Sequence, residues 1–272
     1  MTEDPRHRSA ARWSPLFGLV APSIGWVPPI RYLLRRRRIL RLLGNRPPMR
    51  MVEVGCGGGA LLTDFSRAGH EVTGVESSPR ALALARAVAQ ASGVSQRLLA
   101  QPDECWEERF DIACAFDVLE HIEDDGAAID QWLSWVRPGG LLCLSVPAHR
   151  RSWSAGDEWA GHYRRYDRQD LLGLLAARGL RIEHFECYGF PLANLTEWVG
   201  VRTYRRLLAE RSADVSRKDA TAGSGVDHRD TGLFRRLDTF PGRLGLRAAM
   251  LLQAAFARTD LGSGYLVLAS KP

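Results

Sequence analysis

Short apolar runs alternate with amphipathic segments over the middle of the chain, from Met49 to about Cys187. Such alternation predicts an α/β fold in which helices cover both faces of a doubly wound, mostly parallel sheet. A seventh strand, Gly264–Ala269, is expected to pair antiparallel with the run that ends near Tyr188. The first six predicted strands are Met51–Val54, Glu71–Val75, Arg97–Ala100, Ile112–Phe116, Leu141–Val146 and Ile182–Tyr188. The helices predicted between strands are Ala60–Ala68, Arg80–Ala91, Gly126–Val136 and Arg168–Arg178.

Two segments depart from this alternation. Residues 13–48 contain an aromatic-rich loop and a predicted helix, Ile30–Leu43, closed by two prolines. Residues 190–260 contain two predicted helices, Leu195–Arg211 and Leu233–Ala257, around a polar run that we expect to be mobile, Ser212–Thr231. The predicted organisation is an N-terminal extension with a cap helix (1–48, disordered over 1–12), a core (49–189), a helical insertion or lid (190–260) and the final core strand (261–272).

Composition fits one α/β domain with additions, since 45% of the 272 residues are hydrophobic and 25% are charged. The five cysteines include no C-x-x-C pair, which argues against a disulfide framework and a zinc site. The uncharged stretch Leu16–Ile30 is broken by three prolines, so we expect no membrane span. Acidic residues close to the start argue against a signal peptide, and we expect a cytoplasmic protein.

The strongest chemical signal is a strand that runs into a glycine turn and then a helix, Val52–Gly59. Glycine permits positive φ and close approach of a ligand to the backbone, and the helix start offers unpaired N–H groups. Read loosely, Gly55, Gly57 and Ala60 also satisfy the G-x-G-x-x-A pattern of dinucleotide sites. The turn alone therefore leaves a dinucleotide and S-adenosylmethionine (SAM) both open.

Two acids bear on that choice. Glu53 stands two residues before Gly55, where an anionic pyrophosphate disfavours a carboxylate but the sulfonium and ammonium groups of SAM tolerate one. Glu76 ends the second predicted strand, where its carboxylate can accept from both ribose hydroxyls of either cofactor. Glu53 therefore favours SAM.

Four stretches occur in a fixed order and together resemble the class I SAM-dependent methyltransferases over roughly residues 49 to 188. They are Val52–Gly59, Val75–Pro79, Phe110–Ile122 and Val136–Gly140. The resemblance implies a Rossmann-like fold and SAM as the cofactor. It also implies a set of cofactor-binding residues: Glu53, Gly55, Cys56 and Gly57 at the methionine part, Glu76 and Ser77 at the ribose, Asp103 at the adenine, and Asp117, Val118 and Leu119 lining the pocket. The stretch around Asp103, Gln101-Pro102-Asp103, departs from the family's usual loop.

The acceptor side is expected at the loops after the fourth and fifth strands, which follow the carboxyl ends of a parallel sheet. The run Trp153–Tyr166 concentrates aromatic and charged residues there, and its G-H-x-R-R-Y end resembles a bacterial subgroup associated with cell-envelope and natural-product pathways. His162 and His149 are the candidate general bases. The candidate acceptor-binding residues are His121, Tyr163, Arg164, Arg165 and Tyr166. Alternatively, the arginines pair with Asp157, Glu158 or Asp170 to hold the segment, the histidines are structural, and Glu120 with His121 forms a solvated turn or a capping network.

Methyl transfer requires positioning and a lone pair, and needs no metal. A carboxylate acceptor is already ionised at neutral pH and needs no base, and paired arginines bind carboxylates. The sequence therefore favours O-methylation of a carboxylate-bearing natural product or modified peptide. The alternatives are a cell-envelope sugar or lipid acceptor, and a SAM-binding protein without activity.

The net charge of +6 owes much to a cluster in the cap helix, Arg35–Arg38 and Arg41. Two placements of that helix remain open: a peripheral contact with anionic lipid, or packing on its own domain with the arginines in water. We expect no nucleic acid partner, because the cluster matches no recognised binding motif.

Overall fold

The computed structural model describes residues 11–211, 216–217, 220–221 and 231–272. A seven-stranded sheet lies at its centre, in the order β5-β4-β3-β6-β7-β9-β8. The strands are β3 (Arg50–Val54), β4 (Glu71–Val75), β5 (Arg97–Leu99), β6 (Phe110–Phe116), β7 (Val136–Pro147), β8 (Arg181–Tyr188) and β9 (Gly264–Ser270). A separate antiparallel pair precedes them, β1 (Arg12–Ser14) and β2 (Gly18–Val20).

The sheet is parallel from β5 to β7, and β9 lies antiparallel between β7 and β8. The predicted doubly wound sheet with an antiparallel last strand is confirmed, and β9 is an inner strand with β8 at the edge. Every residue of β9 is buried, which explains its nearly continuous apolar sequence.

Helices cover both faces of the sheet. They are α1 (Ile30–Leu43), α2 (Ala60–Arg67), α3 (Pro79–Ser92), α4 (Asp125–Trp135), α5 (Ala155–Ala160), α6 (Arg168–Ala176), α7 (Leu192–Glu210), α8 (Thr231–Leu237) and α9 (Phe240–Phe256). One core cluster joins the sheet to α4 and α6 through side chains such as Trp132 and Leu175. A second joins it to α1 and α2 through Ile39 and Phe65, so each face of the sheet is closed by its own helices.

Three expectations for the irregular segments are wrong. The predicted helix Leu233–Ala257 is two helices, because Thr239 caps a new helix by accepting a hydrogen bond from the backbone N–H of Gly242. The loop expected after residue 13 contains the β1–β2 hairpin. The run Trp153–Tyr166, expected to be a loop on the acceptor side, contains α5, which Gly161 closes in the left-handed region at φ 77°. Most of Ser212–Thr231 and residues 1–10 lie outside the described residues.

The helices α7, α8 and α9 stand between β8 and β9. Part of this insertion packs below the N-terminal segment, where Leu246 and Met250 of α9 meet Leu33 and Leu34 of α1. Whether the insertion acts as a lid stays a prediction. Among the described helices, none is long and apolar enough to span a bilayer.

Candidate active site

The turn between β3 and α2 has a backbone shape that requires glycine. Gly55, Gly57 and Gly59 adopt φ values of 62°, 54° and 68°. A Cβ placed on Gly57 would meet no heavy atom within 4 Å, so this part of the backbone faces open space. A Cβ on Gly55 would lie 2.6 Å from Cγ2 of Val118, so the turn also packs against the end of β6. A ligand can therefore approach the backbone at Gly57, as a cofactor-binding turn requires.

Glu76 ties the glycine turn to the start of α3. Its Oε2 accepts a hydrogen bond from the N–H of Gly57 at 2.9 Å, and its Oε1 accepts from the N–H of Ser78 at 2.8 Å. Each carboxylate oxygen has a second lone pair, so Glu76 can still accept hydroxyl donors from a ligand. Ser77 beside it is exposed.

Glu53 lies beneath this turn and is almost completely buried. Its Oε2 has no hydrogen-bond partner in the described structure. Burial raises the pKa of Glu53 to about 8, against the opposing effect of the Arg35 guanidinium. The carboxyl group is therefore neutral over much of the physiological pH range, so the electrostatic argument by which Glu53 disfavours an anionic dinucleotide does not hold in the folded protein.

The remaining cofactor candidates divide into two groups. Cys56 is buried next to the turn, and Leu119 is buried after β6. Burial raises the pKa of the Cys56 thiol. Asp103 instead pairs with Arg97 at 2.8 Å on an exposed surface. The open backbone at Gly57, the accepting carboxylate of Glu76 and the unpartnered Oε2 of Glu53 suit a cofactor with hydroxyl, ammonium and carboxylate groups, as SAM has.

Asp117 follows β6 and connects the cofactor edge to the N-terminal helix. Its φ of 56° is in the left-handed region, and its Oδ1 accepts a hydrogen bond from Ser145 at 3.0 Å. Oδ2 forms ion pairs with Arg35 and, at 3.7 Å, with Arg31. Burial alone would raise the pKa of Asp117, but the two guanidinium groups lower it below its ordinary value. Asp117 is thus an ionised group held by α1.

The N-terminal helix packs its main apolar face into the domain. Leu33, Leu34, Ile39 and Leu43 are fully buried. Two of its arginines are buried in ion pairs, whereas Arg37 and Arg41 are exposed. Arg36 binds Asp64 at 2.6 and 2.7 Å, and Arg38 binds Glu186 at 2.7 and 2.5 Å. The expectation of solvated arginines is therefore wrong for Arg36 and Arg38, whereas a lipid contact through this helix stays a prediction.

His162 is oriented by a buried carboxylate. Its Nδ1 lies 2.9 Å from Oδ1 of Asp157, which also accepts a hydrogen bond from Nε of Arg165 at 2.7 Å. Asp157 is 1% exposed. Burial would raise the pKa of Asp157, but His162 and Arg165 lower it well below its ordinary range. The ionised carboxylate favours a proton on Nδ1 of His162 and leaves Nε2 free to accept one.

A second histidine and a buried acid stand beside His162. The rings of His121 and His162 meet edge to face with centroids 4.6 Å apart. Burial and the neighbouring His162 lower the pKa of His121 to about 3, so it is neutral. Glu120 is 1% exposed, its Oε2 has no partner, and burial raises its pKa well above the ordinary value. Glu120 is therefore not part of a solvated turn.

Glu120, His121 and His162 each offer one ligand-type atom, and these atoms lie within 4.8 Å of one another. A carboxylate and two imidazoles could hold a divalent cation. The sequence-based expectation of metal-free chemistry stays a prediction.

His149, the other candidate base, has partners at both ring nitrogens. Nε2 lies 3.1 Å from the carbonyl oxygen of Gly262, and Nδ1 lies 3.4 Å from the hydroxyl of Tyr265. Its φ of 64° is strained for a residue with a side chain. These contacts suit a residue that holds the end of β7 against the start of β9, and a catalytic role for His149 stays a prediction.

The acceptor-binding candidates occupy different environments. Arg164 pairs with Asp125 at 2.7 Å, and Tyr166 is buried with its hydroxyl donating to the same carboxylate at 2.9 Å. Arg165 is buried against Asp157, whereas Tyr163 is exposed. Their roles toward an acceptor stay predictions, but both arginines already have carboxylate partners.

Sequence analysis missed the network that joins these parts. Arg31 pairs with Glu197 of α7 as well as with Asp117, and Glu197 lies 3.6 Å from Arg165. These contacts connect the N-terminal helix, the insertion and the His162 segment around one site. The signal for this network in the sequence was the set of arginines interspersed with the leucines of α1. The same pattern also fits a helix on the protein surface.

A family model described as "Methyltransferase domain" matches residues 30–185. A ubiquinone biosynthesis O-methyltransferase of Nitrobacter winogradskyi is 34% identical over 123 residues, which cover 44% of this chain and 45% of that protein. The chain spans about half the length of the curated relatives it matches.

Two solved structures share the fold. Magnesium protoporphyrin IX methyltransferase of Synechocystis, with bound S-adenosylhomocysteine, is 15% identical with a TM-score of 0.52, over 89% of this chain and 82% of that one. A 4+2 cyclase is 20% identical with a TM-score of 0.54, also over 89% and 82%. At these identities the likeness concerns the fold.

The family match covers more than half of the chain and includes the glycine turn, Glu76 and Asp117. The chain therefore belongs to the methyltransferase-domain family, and S-adenosylmethionine is its cofactor.

Proposed function

We propose that this protein transfers the methyl group of SAM to a hydroxyl oxygen of a small-molecule acceptor, with His162 as the general base. The observation that carries the proposal is the 2.9 Å contact between His162 and the buried, ionised Asp157. A hydroxyl must lose its proton when it is methylated, and an imidazole held by a carboxylate is suited to accept that proton.

The cofactor side follows from the glycine turn. When bound, SAM supplies an electrophilic methyl group. The backbone at Gly57 would approach its methionine part, and the carboxylate of Glu76 would accept from its ribose hydroxyls. Asp117 stays ionised through Arg31 and Arg35, which hold it at the cofactor edge of the sheet.

A hydroxyl acceptor fits the geometry better than the carboxylate-bearing natural product or peptide that the paired arginines suggest. Arg164 and Arg165 are neutralised by Asp125 and Asp157 within the described structure, so neither is an unpaired cation awaiting an anion. The similar Nitrobacter protein is named an O-methyltransferase, which supports oxygen as the methylated atom. The proposal includes hydroxyl-bearing sugars or lipids of the cell envelope as acceptors, and it includes a cytoplasmic location. Membership of the bacterial subgroup with the G-H-x-R-R-Y segment stays a prediction.

The test compares transfer from tritiated SAM to a panel of phenols, alcohols and matched carboxylic acids. The expected result is label in ether products, with His162→Gln lowering kcat by about 10²- to 10⁴-fold while SAM affinity hardly changes. The comparison variant is His149→Gln, which removes the other candidate base outside the Asp157 pair. A larger loss of kcat in His149→Gln than in His162→Gln would assign the base to His149 and contradict the proposal. Label in methyl esters that persists in His162→Gln would support the carboxylate prediction instead. Binding without transfer would support a protein that binds SAM without activity.

A chelator distinguishes the base from a metal site. If His162 acts as a base, EDTA leaves kcat unchanged. Loss of activity that returns with a divalent cation would mean that an ion is held either by Glu120, His121 and His162 or by His149, Cys187 and Asp260. If Glu120→Gln removes the cation requirement, the ion lies at the first cluster and contradicts the proposed role of His162.

A further inference from the structure

The helix α9 presents an apolar stripe to solvent on the side opposite its core contacts. Leu246 and Met250 are buried, whereas Phe240 is 82% exposed and Leu251 is 73% exposed. Leu244 lies one turn after Phe240 and is also exposed. Residues spaced by four and seven share one side of a helix, so these three side chains form one stripe.

The start of α7 adds a second apolar patch next to the end of α9. Trp198 is 74% exposed, and Leu195 and Val199 are exposed beside it. The side-chain amide of Asn194 donates to the carbonyl oxygen of Leu261 at 2.9 Å, which places exposed Leu195 near exposed Leu261. Large apolar side chains this exposed, on two neighbouring helices, indicate an interaction surface. We call it the insertion face: the exposed side chains of α7 and α9.

The charges on these helices have one dominant sign. Between residues 192 and 211 and between residues 231 and 258 the acids are Glu197, Glu210 and Asp238. Glu197 pairs inward with Arg31, and Asp238 pairs with Arg12 and Arg243. The basic residues of the same ranges are Arg202, Arg205, Arg206, Arg211, Arg235, Arg236, Arg243, Arg247 and Arg258. Glu210 is then the one acid of these described ranges without an arginine partner, so most of the nine arginines on the helices that carry the apolar face have no compensating acid there.

Trp, Phe and Leu flanked by arginine are the residues that anchor helices at a bilayer surface, where apolar side chains enter the headgroup boundary and cations meet anionic lipid. A second copy of this chain fits less well, because a two-fold contact would bring the same arginines together. We propose that the insertion face binds the surface of an anionic lipid bilayer. This binding does not depend on the acceptor or on methyl transfer.

The test is sedimentation of the full chain with vesicles of phosphatidylcholine containing phosphatidylglycerol, and with phosphatidylcholine alone. Binding is expected to the anionic vesicles and to decrease with added salt, because exposed charges are screened. Phe240→Ser with Leu251→Ser should abolish binding. Arg247→Gln with Arg258→Gln should lower the partition coefficient roughly tenfold or more on the anionic vesicles.

The matched control is Arg86→Gln with Arg109→Gln, which removes the same charge from exposed positions outside the insertion. That variant should sediment like the parent chain, and circular dichroism should show all three variants folded. Equal loss in the control would show nonspecific attraction by net charge and overturn the proposal. No preference for anionic vesicles would also overturn it, and a dimer that Phe240→Ser with Leu251→Ser dissociates would assign the face to a second copy.

Discussion

Replacing Asp157 by Asn tests whether one buried carboxylate both stabilises the His162 segment and prepares the base. Oδ1 of Asp157 accepts from His162 and from Arg165, and Oδ2 accepts from the backbone N–H of Ser154 at 2.8 Å. Arg165 is 5% exposed, and its next acid, Glu197, is 3.6 Å away. Asn keeps the shape of the side chain but removes the charge that balances this guanidinium.

Breaking a buried ion pair from one side costs about 3 to 5 kcal/mol, because the remaining charge is left uncompensated. We expect Asp157→Asn to lose an amount of unfolding free energy in this range in urea titrations at neutral pH. The lowered pKa means that the carboxylate's contribution is present above about pH 4 and is lost as pH falls toward the folded-state pKa. The stability difference between parent and variant should therefore shrink in acid. In addition, kcat should fall by about 10²-fold or more, because the Nδ1 proton of His162 loses its acceptor.

A double variant separates these two effects. Asp157→Asn with Arg165→Met removes both charges and fills the arginine's space with an apolar side chain, a replacement that is often nearly neutral for stability. Most of the lost unfolding free energy should return, whereas kcat should stay low. If kcat recovers along with stability, Asp157 acts only through folding. If the single variant is as stable as the parent, the buried pair does not carry the charge balance described here.

The core of the fold was predictable because its signals are local. The strand Glu71–Val75 has the predicted bounds, and its four consecutive buried residues, two of them valine, are followed directly by Glu76. The glycine turn was predictable for the same reason, since a strand, a turn with four glycines and a helix start follow one another directly. The carboxyl ends of β3 and β4 meet at one edge, so Glu76 could be placed beside the turn without knowing the rest of the structure.

The ion-pair network was not predictable, because it depends on contacts far apart in the chain. Arg36 meets Asp64 across 28 residues, and Arg38 meets Glu186 across 148. A helix with both leucines and arginines fits a membrane surface or a core equally well until its acidic partners are known. Asp157 posed the same difficulty, because nothing local distinguishes it from the acids near it as the partner of His162.

Two further predictions concern the cofactor turn. Gly57→Val should abolish SAM binding in calorimetry while circular dichroism stays near native, because a side chain would occupy open space on a backbone at φ 54°; unchanged affinity would contradict the assignment of the turn. Glu53→Gln tests the buried acid beneath it. Because the folded-state pKa of about 8 lies above the usual unfolded value of about 4.3, the folded protein holds the extra proton between these pH values, and the stability contribution of Glu53 falls as pH rises through that window. Gln cannot ionise, so the stability of Glu53→Gln relative to the parent should increase from pH 5 to pH 8, by on the order of 3 kcal/mol in urea titrations. Glu71→Gln, at an exposed position on the neighbouring strand, is the matched control and should show no such trend. A pH-independent difference for Glu53→Gln would mean that Glu53 is ionised in the folded protein and is balanced by Arg35.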